Sequence, residues 1–232
     1  MKNNLNAAIE VLYQTFSEYP RNPNIVGCPC CVSDMDKSLL HTSKLRDLVD
    51  EDISKYAFKA ITTWGDVDDF KHYLPRIFEL TAKQELAVNT FVVLGKLKIA
   101  DWRNWDKSEQ KAINEFLIAW WIYDINCNSH HFDFENMIEI NKLIHNLTFL
   151  LEKWILEINS LGFKNFVFLI ENHLEDILQN SGDFKDFNIN ENSILINWIK
   201  THQDKLGVDV SNLKDDFFKD SVLVAKDKIA NI

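Results

Sequence analysis

Residues 134–162 read FENMIEINKLIHNLTFLLEKWILEINSLG, and their apolar positions decide the fold class. Met137, Ile140, Ile144, Leu147, Leu151, Trp154 and Ile158 recur at spacings that alternate between three and four. That alternation puts all of them on one stripe of an α-helix. The spacing predicts one long central helix over about 134–160, closed by Gly162. At 1.5 Å per residue, roughly 24 residues of such a helix would run about 36 Å and could serve as a spine. Ile138, Leu143, Leu150 and Ile155 form a second apolar stripe, so the helix is expected to be internal, with neighbours on two sides.

The same periodicity extends in both directions. Leu5, Ala8, Ile9, Leu12 and Phe16 predict a first helix over about 4–18, stopped by Pro20 and Pro23. The segment 20–32 is the longest irregular stretch, and short helical pieces are expected around 35–40 and 44–49. Asp50 is placed to cap a helix whose inner face is Ile53, Tyr56, Ala57, Ala60, Ile61 and Trp64, with Gly65 closing it. Asp66 then caps a run of Val67, Phe70, Tyr73, Leu74, Ile77 and Phe78, inside which Pro75 imposes a kink or a fresh start. A helix over about 85–97 follows, and Asp106 with Glu109 reads as a capping box ahead of Ile113, Phe116, Leu117, Trp120 and Trp121.

Beyond Gly162, Val167, Ile170, Leu174, Ile177 and Leu178 predict a helix ended at 180–182, and a polar linker occupies 183–192. Leu195, Trp198, Ile199, His202 and Leu206 form one more helix before Gly207. Phe218, Val222, Ala225 and Ile229 form the last, behind a Ser211 cap. The only β-like run, Phe91-Val92-Val93-Leu94, sits in helical surroundings. The expected fold is all-α, an irregular array of about nine to ten helices, mostly antiparallel neighbours. A single domain over 1–232 is expected, with 1–82 as a candidate N-terminal subdomain.

Composition agrees. With 46% hydrophobic residues, 16 Phe and 7 Trp, the chain can bury a sizeable core, and only 6 Gly and 4 Pro disfavour a many-turned β fold. The net charge of −10, from 35 acidic and 25 basic residues with no basic patch, argues against nucleic acid and anionic membranes as partners. It suits a basic protein partner. The start, Met1-Lys2-Asn3-Asn4-Leu5-Asn6, has no signal-peptide pattern, and no stretch approaches the ~20 apolar residues of a membrane span, so a cytoplasmic location is expected.

Chemistry concentrates in two places. Gly27-Cys28-Pro29-Cys30-Cys31 holds three of the four cysteines, and in a reducing cytoplasm clustered thiols read as a metal site, reactive groups or packing in preference to a disulfide. Cys28 and Cys31 have the spacing at which two thiolates converge on one zinc, and His41 is the candidate third ligand. A fourth would have to come from Cys127, His130 or His131. The alternative is a turn with small thiols packed under it and no cofactor. Thioredoxin-like chemistry would require a βαβ setting that a helical chain does not offer. The second place is the run from Trp64 to Arg76, where Trp64, Asp66, Asp68, Asp69, His72 and Arg76 form a candidate binding surface around a helix start. Capping by Asp66 and dipole complementarity by Asp68 and Asp69 account for much of it. Phosphate-loop, zinc-protease and serine-nucleophile motifs are missing, which leans against an enzyme.

Gly27-Cys28-Pro29-Cys30-Cys31, Leu45-Arg46-Asp47-Leu48, Tyr56-Ala57-Phe58-Lys59-Ala60 and the run from Thr62 to Arg76, TTWGDVDDFKHYLPR, together resemble a family of uncharacterised bacterial proteins. The likeness runs to about residue 80 and carries two specific motifs. It implies a bacterial, cytoplasmic, helical protein, assigns no catalytic role to any residue, and makes the two motifs worth treating as one surface. Two functions are thus expected. One is a non-enzymatic protein-binding module, such as an immunity protein or antitoxin that masks a basic toxin. The other is a zinc-binding or thiol-dependent protein centred on Cys28 and Cys31.

Overall fold

The computed structural model describes residues 2–128, 133–213 and 216–230. Its described residues are all-α: eleven α-helices, short 3-10 turns between them, and no strand beyond two isolated bridges. The helices are α1 (Lys2–Thr15), α2 (Asp34–Leu39), α3 (Asp50–Lys59), α4 (Val67–Ala82), α5 (Thr90–Ile99), α6 (Lys107–Cys127), α7 (Phe134–Ile144), α8 (Leu147–Leu151), α9 (Leu161–Gln179), α10 (Ile189–Thr201) and α11 (Asp216–Ile229). None is long and apolar enough to cross a membrane. They fall into two compact units that divide within α6, one covering Asn3–Trp120 and the other built from Trp121–Ile232. The first unit thus runs well past residue 82.

In the first unit, Leu5, Ile9, Leu12 and Phe16 are buried as their spacing predicts, and α1 gives way to a 3-10 turn over Phe16–Glu18 ahead of Pro20. The α3 helix ends at Lys59, short of the predicted Gly65. Ile61 takes φ +68°, and its N–H donates to Trp64 O at 3.0 Å, so the chain reverses before Trp64 instead of continuing the helix. Trp64 is still buried, because the turn folds it back against Tyr56 with ring centroids 5.3 Å apart. Pro75 lies inside α4 without ending it. The helix predicted for 85–97 begins only at Thr90, and residues 44–49 yield a 3-10 turn over Leu45–Asp47.

A buried charge pair joins three segments of this unit. Lys71 on α4 is 8% exposed and Glu109 on α6 is 1% exposed. The Lys71 ammonium donates to Glu109 and to Tyr19 OH at 2.9 Å, and Tyr19 OH donates to the other Glu109 oxygen at 2.7 Å. Glu109 also accepts the Asp106 N–H at 3.0 Å, the return bond of the expected capping box, so one carboxylate serves two purposes. The Lys71 ammonium lies 4.4 Å from the Trp105 ring centre. Burial alone would lower the Lys71 pKa, yet Tyr19 and Glu109 hold it above its ordinary value.

The second unit contains the largest departure from periodicity. The predicted helix over 134–160 is two helices and a loop. His145 takes a left-handed conformation, φ +57°, at the end of α7, and the Asn146 side chain caps α8 by accepting from Phe149 N–H at 3.0 Å. Met137, Ile140, Leu147, Leu151 and Trp154 remain buried, but Ile158 is 49% exposed. The apolar repeat therefore reports burial on both sides of a break. The rings of Trp121, Trp154, Trp198 and Phe166 meet in sequence at 5.9, 5.2 and 5.4 Å, and the indoles of Trp121 and Trp154 donate to the carbonyls of Leu150 and Gly162 at 2.7 Å. Asn180, φ +50°, ends α9 as expected. The 183–192 stretch is a 3-10 turn and the start of α10, and Ser211 belongs to a separate 3-10 turn instead of capping α11.

Replacing Lys71 with Met strands the Glu109 carboxylate in the interior and is expected to cost roughly 3–5 kcal/mol of unfolding free energy. Urea denaturation of Lys71→Met and of the Lys71→Met, Glu109→Gln double variant checks this, with the double variant recovering part of the loss.

Candidate metal centre

The cysteine loop is held to residues 63–65 by backbone hydrogen bonds. Gly27 and Trp64 form an antiparallel bridge in which Gly65 N–H donates to Val26 O at 2.7 Å and Cys28 N–H donates to Thr63 O at 2.8 Å. Past the bridge, the Cys28 carbonyl accepts from the N–H groups of both Cys31 and Val32 at 2.9 Å, which closes the three cysteines into one tight turn. Pro29 restricts φ at its second position. The glycines of the two motifs have steric reasons. A Cβ on Gly27 would lie 2.8 Å from Val32 Cβ. Gly65 sits at φ +69°, and a Cβ there would lie 2.8 Å from the Asp69 Oδ2 that accepts the Asp66 N–H.

This turn gathers the Sγ atoms of Cys28, Cys30 and Cys31 within 4.8 Å of one another. Cys28 and Cys30 are 2.9 Å apart and Cys30 and Cys31 3.6 Å. All are free thiols; Cys30 is exposed and the others half-buried. The Cys30 thiol beside Cys28 holds the Cys28 pKa below its ordinary value, and the same pairing pushes Cys30 up to about 11.

The third member of the described group is Cys30, and His41 is not part of it. The His41 ring lies outside the sulfur group and lines a shallow cleft with Pro23, Asn24, Ile25, Lys37 and Ser38. Among the described residues no further Cys, His, Asp or Glu joins the three thiols. Cys127 ends α6, and His130 and His131 lie outside the described residues. The C-x-x-C spacing directs attention to the first and last cysteines. The signal for Cys30 was its place between the two, which becomes a contact with both only once the turn is known.

The second motif supports the loop more than it faces solvent. Asp66 Oδ1 accepts the Asp69 N–H at 2.9 Å and Asp69 Oδ2 returns the bond to the Asp66 N–H at 3.0 Å, a reciprocal capping box at the start of α4. Trp64 is 1% exposed and Asp69 6%. His72 Nδ1 lies 2.8 Å from Tyr19 O, and Arg76 donates to Leu48 O at 2.7 Å and to Glu79 at 2.8 Å. Of the six residues expected to form a surface, only Asp66 and Asp68 are exposed. Burial raises the Asp69 pKa and lowers that of His72.

Comparison of the chain with protein-family models, with curated proteins and with solved structures returned no match.

Alanine at Gly65 is expected to lose roughly 1–2 kcal/mol from the left-handed backbone alone, with crowding of Asp69 added. Thermal or urea unfolding measures the loss, and faster alkylation of the Cys28 to Cys31 thiols reports loosening of the loop. Burial also lowers the His173 pKa. Because His72 and His173 resist protonation when folded, their contribution is complete above the unfolded pKa of about 6.5 and is lost as pH falls below it. The urea midpoint should drop between about pH 7 and 5.5, with a shallower slope in His72→Gln.

Proposed function

We propose that the protein is a metal-binding protein whose centre is the thiol group Cys28, Cys30 and Cys31. The observation that carries this is the convergence of three Sγ atoms within 4.8 Å on a turn fixed by backbone hydrogen bonds. Three thiolates crowded so closely repel one another, and a cation between them removes that repulsion. The turn costs little to organise on binding, because the Gly27 to Trp64 bridge and the two bonds to the Cys28 carbonyl hold it already. A reducing compartment keeps the sulfurs available.

A second function is supported by different features. The net charge is −10, Asp66 and Asp68 are exposed, and two large apolar side chains near the loop face solvent, Val26 at 78% and Met35 at 75% exposure. These suit docking to a basic protein partner, of which an immunity protein or antitoxin is one form. The two functions part at the cysteines, since a serine at Cys30 abolishes the first and leaves the second.

Protein purified without chelators under anaerobic conditions is expected to carry close to one equivalent of a thiophilic metal per chain after reconstitution. Elemental analysis of this protein and of Cys30→Ser provides the check. Equal and negligible metal in both would end the proposal.

A further inference from the structure

The donor set of the centre specifies which ion it takes. Resting on the metal-binding proposal above, we infer that the ion is Cu(I), held in trigonal coordination by Cys28, Cys30 and Cys31, and that zinc is the weaker binder. Three observations lead there. The gathered donors are all sulfur, with no imidazole or carboxylate among the described residues in the group, and thiolate-only sets favour soft ions such as Cu(I). Among the described residues the group also stops at three. Structural zinc closes a tetrahedron of four ligands, whereas a monovalent d10 ion is satisfied by three thiolates and needs no further donor.

The third observation is spacing. An ion about 2.3 Å from each of three sulfurs in a plane sets them about 4 Å apart. The Cys28–Cys30 and Cys30–Cys31 separations, 2.9 and 3.6 Å, fall short of that value, and all three sulfurs lie within 4.8 Å of one another. Cys28 and Cys30 have to part by about 1 Å, which a side-chain rotation at the exposed Cys30 supplies without moving the backbone bonds of the turn.

Binding is an exchange of protons for copper with no change of oxidation state. Each S–H bond broken releases a proton to solvent as a Cu–S bond forms, and copper remains Cu(I). Apparent affinity therefore rises with pH across the neutral range. The exposure of Cys30 leaves the ion open to thiol-by-thiol exchange with an incoming ligand.

The test is an anaerobic competition on the whole reduced chain. Cu(I) is presented in a chromogenic Cu(I) chelator and, separately, Zn(II) in a zinc-chelating dye, with circular dichroism verifying the fold of each variant. Expected are withdrawal of one Cu(I) per chain, a thiolate-to-copper charge-transfer band in the near ultraviolet, and affinity for Cu(I) above that for Zn(II). Cys30→Ser should weaken Cu(I) binding by at least about 100-fold, more than the loss of an outer-shell group gives, while His41→Ala leaves it unchanged. Zinc held at one per chain as tightly as Cu(I) would overturn the inference and leave the metal-binding proposal standing. So would a loss of copper in His41→Ala that matches Cys30→Ser, since the site would then not be all sulfur. Folded protein that takes up neither ion would overturn both.

Discussion

The antiparallel bridge between Gly27 and Trp64 is the constraint on which the candidate centre depends. Its two bonds, Gly65 N–H to Val26 O and Cys28 N–H to Thr63 O, are short, and they join segments of the chain that no helix connects directly. Everything on either side is arranged to let it form. On one side Gly27 admits Val32 beneath the cysteine turn. On the other, Gly65 adopts the left-handed backbone that brings the chain from Trp64 into the Asp66 and Asp69 capping box. Below it Trp64 packs edge-on against Tyr56, and Tyr56 against Tyr73. A loop that would otherwise be free to sample many conformations is thus fixed by main-chain bonds to a buried aromatic floor, which leaves its three sulfurs free for chemistry.

The same unit places ionised groups where they cannot be given up cheaply. Lys71, Glu109 and Tyr19 share one network, and Glu79 collects bonds from Tyr13, Arg76 and Lys83. Burial would raise the Glu79 pKa, and those three donors more than offset it, so the group stays below its ordinary value. Such pairs add little net stability over an apolar core, but each leaves a costly unpaired charge if the packing shifts. They therefore fix the register of α4 against the segment before Pro20 and against the start of α6. This explains why Lys71 and Arg76 of the Trp64 to Arg76 run are occupied inside the unit, while Asp66 and Asp68 stay exposed.

Much of this was legible in the chain. The burial of Leu12, Phe70, Leu74, Ile113, Trp120 and Trp121 follows from helical spacing, and the Asp66 cap and the Glu109 bond to the Asp106 N–H follow from local side-chain chemistry. These features are local: a cap and an apolar stripe each involve a few consecutive residues, so the sequence contains all the parties. The break at His145 was not legible, because a three-four repeat is unchanged when both halves face one core and only the backbone between them turns. Asn146 was the sole clue, an N-cap residue in the middle of an apolar run.

By itself the sequence determined the helical class, the position of the irregular cysteine loop and most of the core, since hydrophobic periodicity and capping act within a few residues. The tertiary structure decided where α3 stops, because Ile61 bonds back to Trp64. It also decided that Cys30, not His41, stands with Cys28 and Cys31. Ligand convergence depends on how a turn is held by partners more than thirty positions away, and residue spacing carries no record of those bonds.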